Sequence, residues 1–342
     1  MNKNPMFCHS SLPEPYPDEA LSSWMYRVRE TFPEPEIRAL REMSGLERES
    51  SPFAAYYARV LDSRGKDLDF RFEHPEVVAF MNAYDLSAEW IKSVFSPVCA
   101  QIIPIWFRSD YCMQCMEESI ADIGFPVYLK SWRLTLKPFC QKHRCVLYST
   151  DNSLHHSMDF AMSIFEYGCA RSHELERISK WLAKDSEVQA LGWMVADRID
   201  LLLSKIENTA VHNKLLSFIM TLLRVTLMRK NWGNYTSVIK FTVPSSKTLE
   251  SVNDLPLFYQ LPYCVTGMAR ARSFYLIGLL LGWIDEEQAE NAKQRDDFYL
   301  ATSASDIWRR VADMPRIRTL LQLFSTDLLG MSTLTGWEFF DV

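Results

Sequence analysis

The chain is short of glycine, of net positive charge and of long apolar runs, and each shortage closes off a class of protein. Eleven glycines in 342 residues leave little material for loops that wrap phosphates with bare backbone. No G-x-x-x-x-G-K-[ST], G-x-S-x-G or H-E-x-x-H pattern occurs, so no familiar phosphate cradle, nucleophile elbow or zinc-protease helix is present. The strongest apolar run, Ser273 to Ile284, falls short of the roughly 20 residues that span a bilayer. A buried helix is expected there, and no membrane segment. The N-terminal twenty residues lack the apolar stretch of a secretory signal, and their prolines and acids disfavour a transit peptide; a cytoplasmic location is expected. A formal net charge of -6 and a pI near 5.7 exclude a protein that coats nucleic acid through a basic surface. Any such contact has to be local.

What the chain does have is apolar substance: 48% hydrophobic and 13% aromatic residues, enough for one large core or two to three smaller ones. Most of it recurs at helical spacing. Leu21, Trp24, Met25 and Val28 share one face after a start at Pro17 and Asp18, and Pro33 should stop that helix. Phe53, Tyr56, Tyr57, Val60 and Leu61 repeat the pattern; so do Val77, Val78 and Met81 after Pro75, and Trp90, Ile91, Val94 and Phe95 after a cap at Ser87. Helical periods return with Leu175, Ile178, Trp181 and Leu182, then with Val188, Leu191, Val195, Ile199, Leu202 and Ile206, then from Asn213 to Arg229. Gly233, Pro244, Pro256 and Pro262 mark a linker or irregular excursion. Ile307, Val311 and Met314, then Ile317, Leu320, Leu321 and Phe324, flank Pro315 in the manner of a helix-turn-helix pair.

Residues 100–150 differ. Ile102, Ile103, Ile105, Trp106 and Phe107, and the stretch from Val127 to Leu136, read as extended chain. The expected architecture is mainly α, with helical subdomains flanking a small zinc finger, a zinc-ribbon-like β-hairpin module. Its divisions are an N-terminal helical domain over 1–98, the finger over 99–150 and a C-terminal helical domain over 151–342. No internal repeat or low-complexity tract interrupts it.

Eight cysteines without an export signal should be reduced thiols. Cys8, Cys99, Cys169 and Cys264 are scattered, whereas Cys112, Cys115, Cys140 and Cys145 fall in one short stretch. Cys112 and Cys115 form one knuckle, and Cys140 with His143 a second, 24 residues later. Four such donors close a tetrahedron around one zinc ion per chain and leave no position for water, so the zinc is structural. In small finger peptides such a metal contributes about 10–16 kcal/mol of folding free energy. Cys145 competes with His143 as the fourth ligand, and the matching two-residue gap favours His143. A second site from His155, His156, Cys169 and His173 stays open, beside the plainer reading of solvated loop histidines.

Nothing in the sequence assembles a nucleophile, base and orienting partner, and the expectation is a protein that is not an enzyme. The pairs Glu117-Glu118 and Glu286-Glu287 read as solvated helix faces or termini. Arg309, Arg310, Arg316 and Arg318 near the C-terminal break, and Arg224, Arg229 and Lys230 at the end of the long middle helix, either meet phosphates or satisfy helix termini.

Two separated motifs resemble one family. The run from Leu12 through Pro13, Pro15, Pro17, Asp18, Glu19, Leu21 and Ser23 to Trp24, with Arg27, resembles the opening of the TniQ family. Tyr111-Cys112 and Cys115, then Ser131-Trp132-Arg133-Leu134, then Cys140, His143, Arg144 and Leu147 resemble that family's finger. The resemblance implies zinc at Cys112, Cys115, Cys140 and His143. It also implies a helical fold with helix-turn-helix elements on both sides of the finger, and a role in choosing transposition targets, joining a targeting element to the AAA+ regulator TnsC. Many members carry a second finger where this chain reads Tyr148-Ser149-Thr150. Longer TnsD-like members read a fixed DNA site directly. The shorter form resembles TniQ proteins that ride as homodimers on an RNA-guided CRISPR complex, Cascade. The expected function is therefore an adaptor between Cascade with its guide RNA and TnsC, with direct RNA or DNA contact left open. The alternative is a TnsD-type DNA-binding selector.

Overall fold

The structure is a computed structural model and describes residues 12–32, 67–96, 101–150, 159–176, 178, 186–227, 261–293 and 301–307. Two compact units divide the chain, residues 1–143 with 147–172 and residues 144–146 with 173–342.

In the first unit the proline-led segment runs extended to a turn at Asp18, whose φ of 62° ends it. Glu19 N–H donates to the Tyr16 carbonyl at 2.9 Å, and the Glu19 carboxylate accepts from Tyr16 N–H at 2.8 Å. The helix α1, Leu21–Thr31, therefore starts after this turn and not at Pro17 and Asp18; it stops before Pro33 as expected. Its buried face carries Leu21, Trp24, Met25 and Val28. Trp24 is the hub: its ring lies 5.6 Å from Phe80, 5.4 Å from Trp90 and 5.3 Å from Phe95, and its indole N–H donates to the Pro13 carbonyl at 2.8 Å.

Those partners come from α2, Pro75–Ala83, and α3, Ala88–Phe95. Pro75 opens α2 at a position whose N–H has no helical partner anyway, and the Ser87 hydroxyl caps α3 by accepting from Trp90 N–H at 3.1 Å. Four residues, 84–87, join them, with Asp85 at φ 52°, which is helix-turn-helix connectivity. Val77, Phe80 and Met81 are buried while Val78 is 38% exposed: Val78 sits about 100° round the helix from Val77 and misses the core face.

Buried charge ties these helices to the rest of the unit. Glu19 pairs with Arg27 at 2.7 Å, both almost fully enclosed. Arg108 pairs with Asp67 at 2.5 Å. Arg133 pairs with Asp69, Asp69 accepts from Ser22 N–H at 2.8 Å, and the Arg133 guanidinium lies 4.6 Å from the Tyr128 ring centroid.

The extended segments expected between 100 and 150 are mostly tight turns. Ile105–Phe107 and Lys130–Arg133 are 3-10 helices, and Ile102 and Leu134 form one isolated antiparallel bridge. Apolar β-branched and aromatic residues occur here because the segment is buried, a demand that a 3-10 turn satisfies as well as a strand. The two-stranded sheet consists of β1, Asp110–Tyr111, and β2, Tyr148–Ser149, antiparallel with Tyr111 opposite Tyr148. Helix α4, Met113–Ile123, follows β1, and α5, Phe160–Ala170, follows β2.

The second unit is built from α6, Ser186–Lys205, α7, Thr209–Leu227, α8, Gly267–Leu280, and α9, Glu286–Ala292. Val188, Val195 and Ile199 of α6 face inward as their spacing predicts; Leu203, and not Leu202 or Ile206, completes the face before the helix ends. All 14 residues of α8 are buried, which explains the long apolar run as a central helix packed on α6 and α7. Gly278 allows that approach: a Cβ there would lie 2.6 Å from Val195 Cγ2 and 2.6 Å from Ile284 Cδ1. Asp285 and Gln288 form a capping box at the start of α9, and the pair Glu286-Glu287 sits exposed in its first turn. No helix among the described residues is long and apolar enough to cross a membrane. The expected helices around Tyr57 and Trp181, the linker around Pro244 and the helix pair around Pro315 lie outside the described residues.

Candidate metal centre

Strand β1 delivers Cys112 to the N-cap of α4, where the backbone is still extended at φ -113°, ψ 114°. Cys115 follows in the first turn, three residues on and on the same side of the helix. Gly124, at φ 79°, ends α4 in the left-handed conformation that glycine adopts without steric cost. The return is fixed by Ser119, whose hydroxyl donates to the Met116 carbonyl at 2.8 Å and accepts from Val127 N–H at 2.9 Å. The chain then passes through the Lys130–Arg133 turn to Cys140. A tight turn over residues 141–143 carries His143 N–H to 3.4 Å from Cys140 Sγ.

The four donors thus converge without a β-hairpin between the knuckles. A helix and a 3-10 turn make the connection, and β1 and β2 lie outside the ligand span, which corrects the zinc-ribbon-like hairpin expected from the sequence. The 24 intervening residues are long enough for either route; α4 wins because Cys115, Met116 and Ser119 form a buried helical face.

Cys112 Sγ, Cys115 Sγ, Cys140 Sγ and His143 Nδ1 all lie within 4.8 Å of one another. His143 Nδ1 is 3.4 Å from Cys112 Sγ, 3.2 Å from Cys115 Sγ and 3.5 Å from Cys140 Sγ; Cys115 Sγ is 3.4 Å from Cys140 Sγ. Tetrahedral zinc with bonds of about 2.3 Å to sulfur and about 2.0 Å to nitrogen would set sulfurs about 3.8 Å apart and sulfur from nitrogen about 3.5 Å. These four separations match that shell to within a few tenths of an ångström. The three cysteines are buried and His143 is partly so. This donor set can hold a metal ion such as zinc, with all four positions supplied by protein.

The electrostatics agree. Hydrogen bonds with Cys112 and Cys140, and then burial, push the Cys115 thiol far above its ordinary pKa: three sulfurs this close cannot all carry charge unless a cation sits between them. Beyond the donors, Glu118 Oε1 lies 3.0 Å from His143 Nε2 and Glu118 Oε2 lies 2.6 Å from Lys142 Nζ. Lys142 first and His143 second lower the Glu118 pKa. Burial opposes charge on His143, but Glu118 and the sulfurs outweigh it and hold the pKa of the metal-free imidazole up at about 9. A carboxylate on Nε2 directs Nδ1 at the sulfurs and fixes the ring.

Of the sequence-derived site residues, Cys112, Cys115, Cys140 and His143 come together, and Cys145 is not among them. None of the six described cysteines is in a disulfide. Cys169 and His173 join no metal-binding group among the described residues, and His155 and His156 lie outside them. Arg224 is half-buried on α7; Arg229, Lys230, Arg309, Arg310, Arg316 and Arg318 fall outside the described residues. Glu118, a solvated helix residue by its sequence context, is in the structure the histidine's partner. Its position, one helical turn after Cys115, is the signal that could have found it.

No curated protein and no solved structure matches the chain. Residues 11–147, a stretch that holds all four donors, match the family described as TniQ.

Proposed function

We propose that this protein is a non-enzymatic adaptor in transposition, joining an RNA-guided CRISPR effector, Cascade, to the AAA+ regulator TnsC. A TniQ domain implies a role in transposition target selection, with TnsC-type and targeting partners, and that match is the observation that carries the reading. In it, Cys112, Cys115, Cys140 and His143 hold one structural zinc, and the finger stiffens the N-terminal helices as a platform. When bound, the metal supplies charge neutralisation for the thiolates and a cross-link between α4 and the 141–143 turn. It offers no open position for a substrate. The adaptor works as a homodimer, in the cytoplasm, with the helices of 1–98 and the finger of 99–150 acting together and 151–342 providing further surface.

The charge balance favours an adaptor over a TnsD-type DNA reader. The exposed face of α3, the second helix of the helix-turn-helix, offers Glu89, Lys92 and Ser93. A groove-reading helix needs cationic and amide groups there, and this face is neutral. Co-expression with Cascade, its guide RNA and TnsC, followed by size exclusion, tests the reading: the chain should co-elute with Cascade and hold duplex DNA only weakly alone. Failure to co-elute, together with tight, steeply salt-dependent binding to one duplex, would install the DNA-binding selector in its place.

A further inference from the structure

Two of the four donors, Cys115 and Cys140, line a groove of about 390 Å³ beside the metal centre, with Tyr16, Leu129 and Trp132. Asp18, Gln141 and Lys142 edge the same groove and are exposed, so it opens to water. Its walls are fastened to one another: Lys130 N–H donates to the Asp18 carbonyl at 2.8 Å, and Ser131 N–H donates to the Asp18 carboxylate at 3.1 Å. The groove is thus a fixed passage for small molecules to these two sulfurs.

Cys115 Sγ and Cys140 Sγ lie 3.4 Å apart, and closing that gap to a bond of about 2.0 Å takes about 1.4 Å of movement. Cys115 is 6% exposed, Cys140 2% and Cys112 1%; Cys112 does not line the groove. As metal ligands the sulfurs are thiolates at neutral pH, the form that attacks an oxidant. So little exposure admits a small uncharged oxidant. It turns away glutathione disulfide, which has to align its own S–S bond with the attacking sulfur.

We propose that Cys115 and Cys140 form a peroxide-sensitive pair, which hydrogen peroxide entering by the groove joins in a disulfide as the metal ion is released. One thiolate attacks a peroxide oxygen; the O–O bond breaks, hydroxide leaves and the sulfur becomes a sulfenic acid. The other thiolate attacks that sulfur; the S–O bond breaks, a second hydroxide leaves and the S–S bond forms. The two sulfurs give up two electrons and the peroxide takes them, so no further reactant is needed. Cys112 and His143 then remain, and two donors do not complete a tetrahedron. The link between α4 and Cys140 survives as a covalent bond, while the 141–143 turn loses its anchor at His143. In a thiol-rich compartment such a bond is transient, and thiols with zinc restore the reduced site. This pairing rests on the zinc assignment and is independent of the adaptor reading.

The test treats the zinc-loaded full chain with hydrogen peroxide, follows zinc with a chromophoric chelator, alkylates the remaining thiols and maps tryptic peptides by mass spectrometry. Cys112 and Cys115 share the peptide 109–130 and Cys140 lies in 134–142, so the possible bonds differ in mass. Zinc release should keep pace with a cross-link between 109–130 and 134–142 whose fragmentation finds Cys112 alkylated; dithiothreitol and zinc should then restore the site. Glutathione disulfide at the same concentration should release little zinc. Leu129→Trp, which narrows the groove without touching a ligand, should slow release by about threefold or more at parent zinc content; should this variant lose its zinc, the cross-link map of the parent decides alone. Zinc in the untreated chain, measured first, tests the ligand assignment separately. A Cys112–Cys115 bond within 109–130, sulfinic or sulfonic acids in place of the cross-link, release that does not reverse, equal release by glutathione disulfide, or parent-rate release from zinc-loaded Leu129→Trp would each overturn the proposal.

Discussion

Replacing Arg133 by Met tests whether buried charge holds the first unit together. The guanidinium is 1% exposed, and burial pushes its pKa down to about 9, with the Asp67 charge opposing, so it stays charged at neutral pH. Arg133→Met keeps most of the side-chain stem in place and removes the cation. Asp69, 4% exposed, then keeps the Ser22 N–H at 2.8 Å and loses its ion pair; Arg108 at 4.0 Å compensates only in part. Breaking a buried pair from one side costs about 3–5 kcal/mol, and the lost stacking on Tyr128 adds about 1 kcal/mol. Against a domain stability of about 5–15 kcal/mol this is a large fraction. Hydrogen exchange followed by mass spectrometry reads it locally, in peptides covering 21–31 and 129–136, without assuming that the two units unfold together. The double variant Arg133→Met/Asp69→Asn removes both charges yet keeps an oxygen for Ser22 N–H, so it should recover about 2–3 kcal/mol of the single variant's loss. A single variant within about 1 kcal/mol of the parent, or a double variant worse than the single, refutes the reasoning.

Three further outcomes are expected. Cys112→Ser should lower zinc from about one per chain to under one-tenth by mass spectrometry of the acid digest, and unchanged metal content would sink the ligand assignment. Glu118→Gln should keep the metal but weaken its hold by about 10–100-fold in competition with a chromophoric chelator; parent-like affinity would mean the carboxylate is a bystander. Gly278→Ala sets a helix-propensity gain of about 1 kcal/mol against overpacking of about 1–3 kcal/mol. With backbone fixed by α6 on one side and Ile284 on the other, overpacking should win, and the melting transition should fall by about 2–4 °C per kcal/mol lost. A transition at or above the parent's would show that α8 can move.

Helical periodicity is legible in the sequence because it is local: each of α1, α2, α3, α6 and α8 buries a face or a run visible within a dozen residues. The metal donors are legible for a related reason, since ligand chemistry restricts residue type and spacing at once. Residues 100–150 read as extended yet fold mostly as turns, because their apolar content reports burial, and burial alone does not distinguish a strand from a 3-10 turn. The ion pairs Arg108–Asp67 and Arg133–Asp69 join positions 41 and 64 residues apart, and no sequence pattern reports contacts of that range. Glu118 lies between these cases, local in spacing yet indistinguishable from a surface acid until its histidine is seen.

The residues by which this domain is recognised are mostly unavailable to a partner. Trp24 is 0% exposed, Trp132 and Arg133 are each 1% exposed, and Glu19 and Arg27 are 2% and 5% exposed. Each acts inside the fold. Trp24 gathers the rings of α2 and α3, Glu19 and Arg27 neutralise one another, and Arg133 holds the loop at Asp69. Buried charges tolerate few replacements because each must keep its counter-charge, so such residues mark a scaffold and not a recognition surface. Whatever a partner of this domain contacts must then be carried by exposed positions around that scaffold.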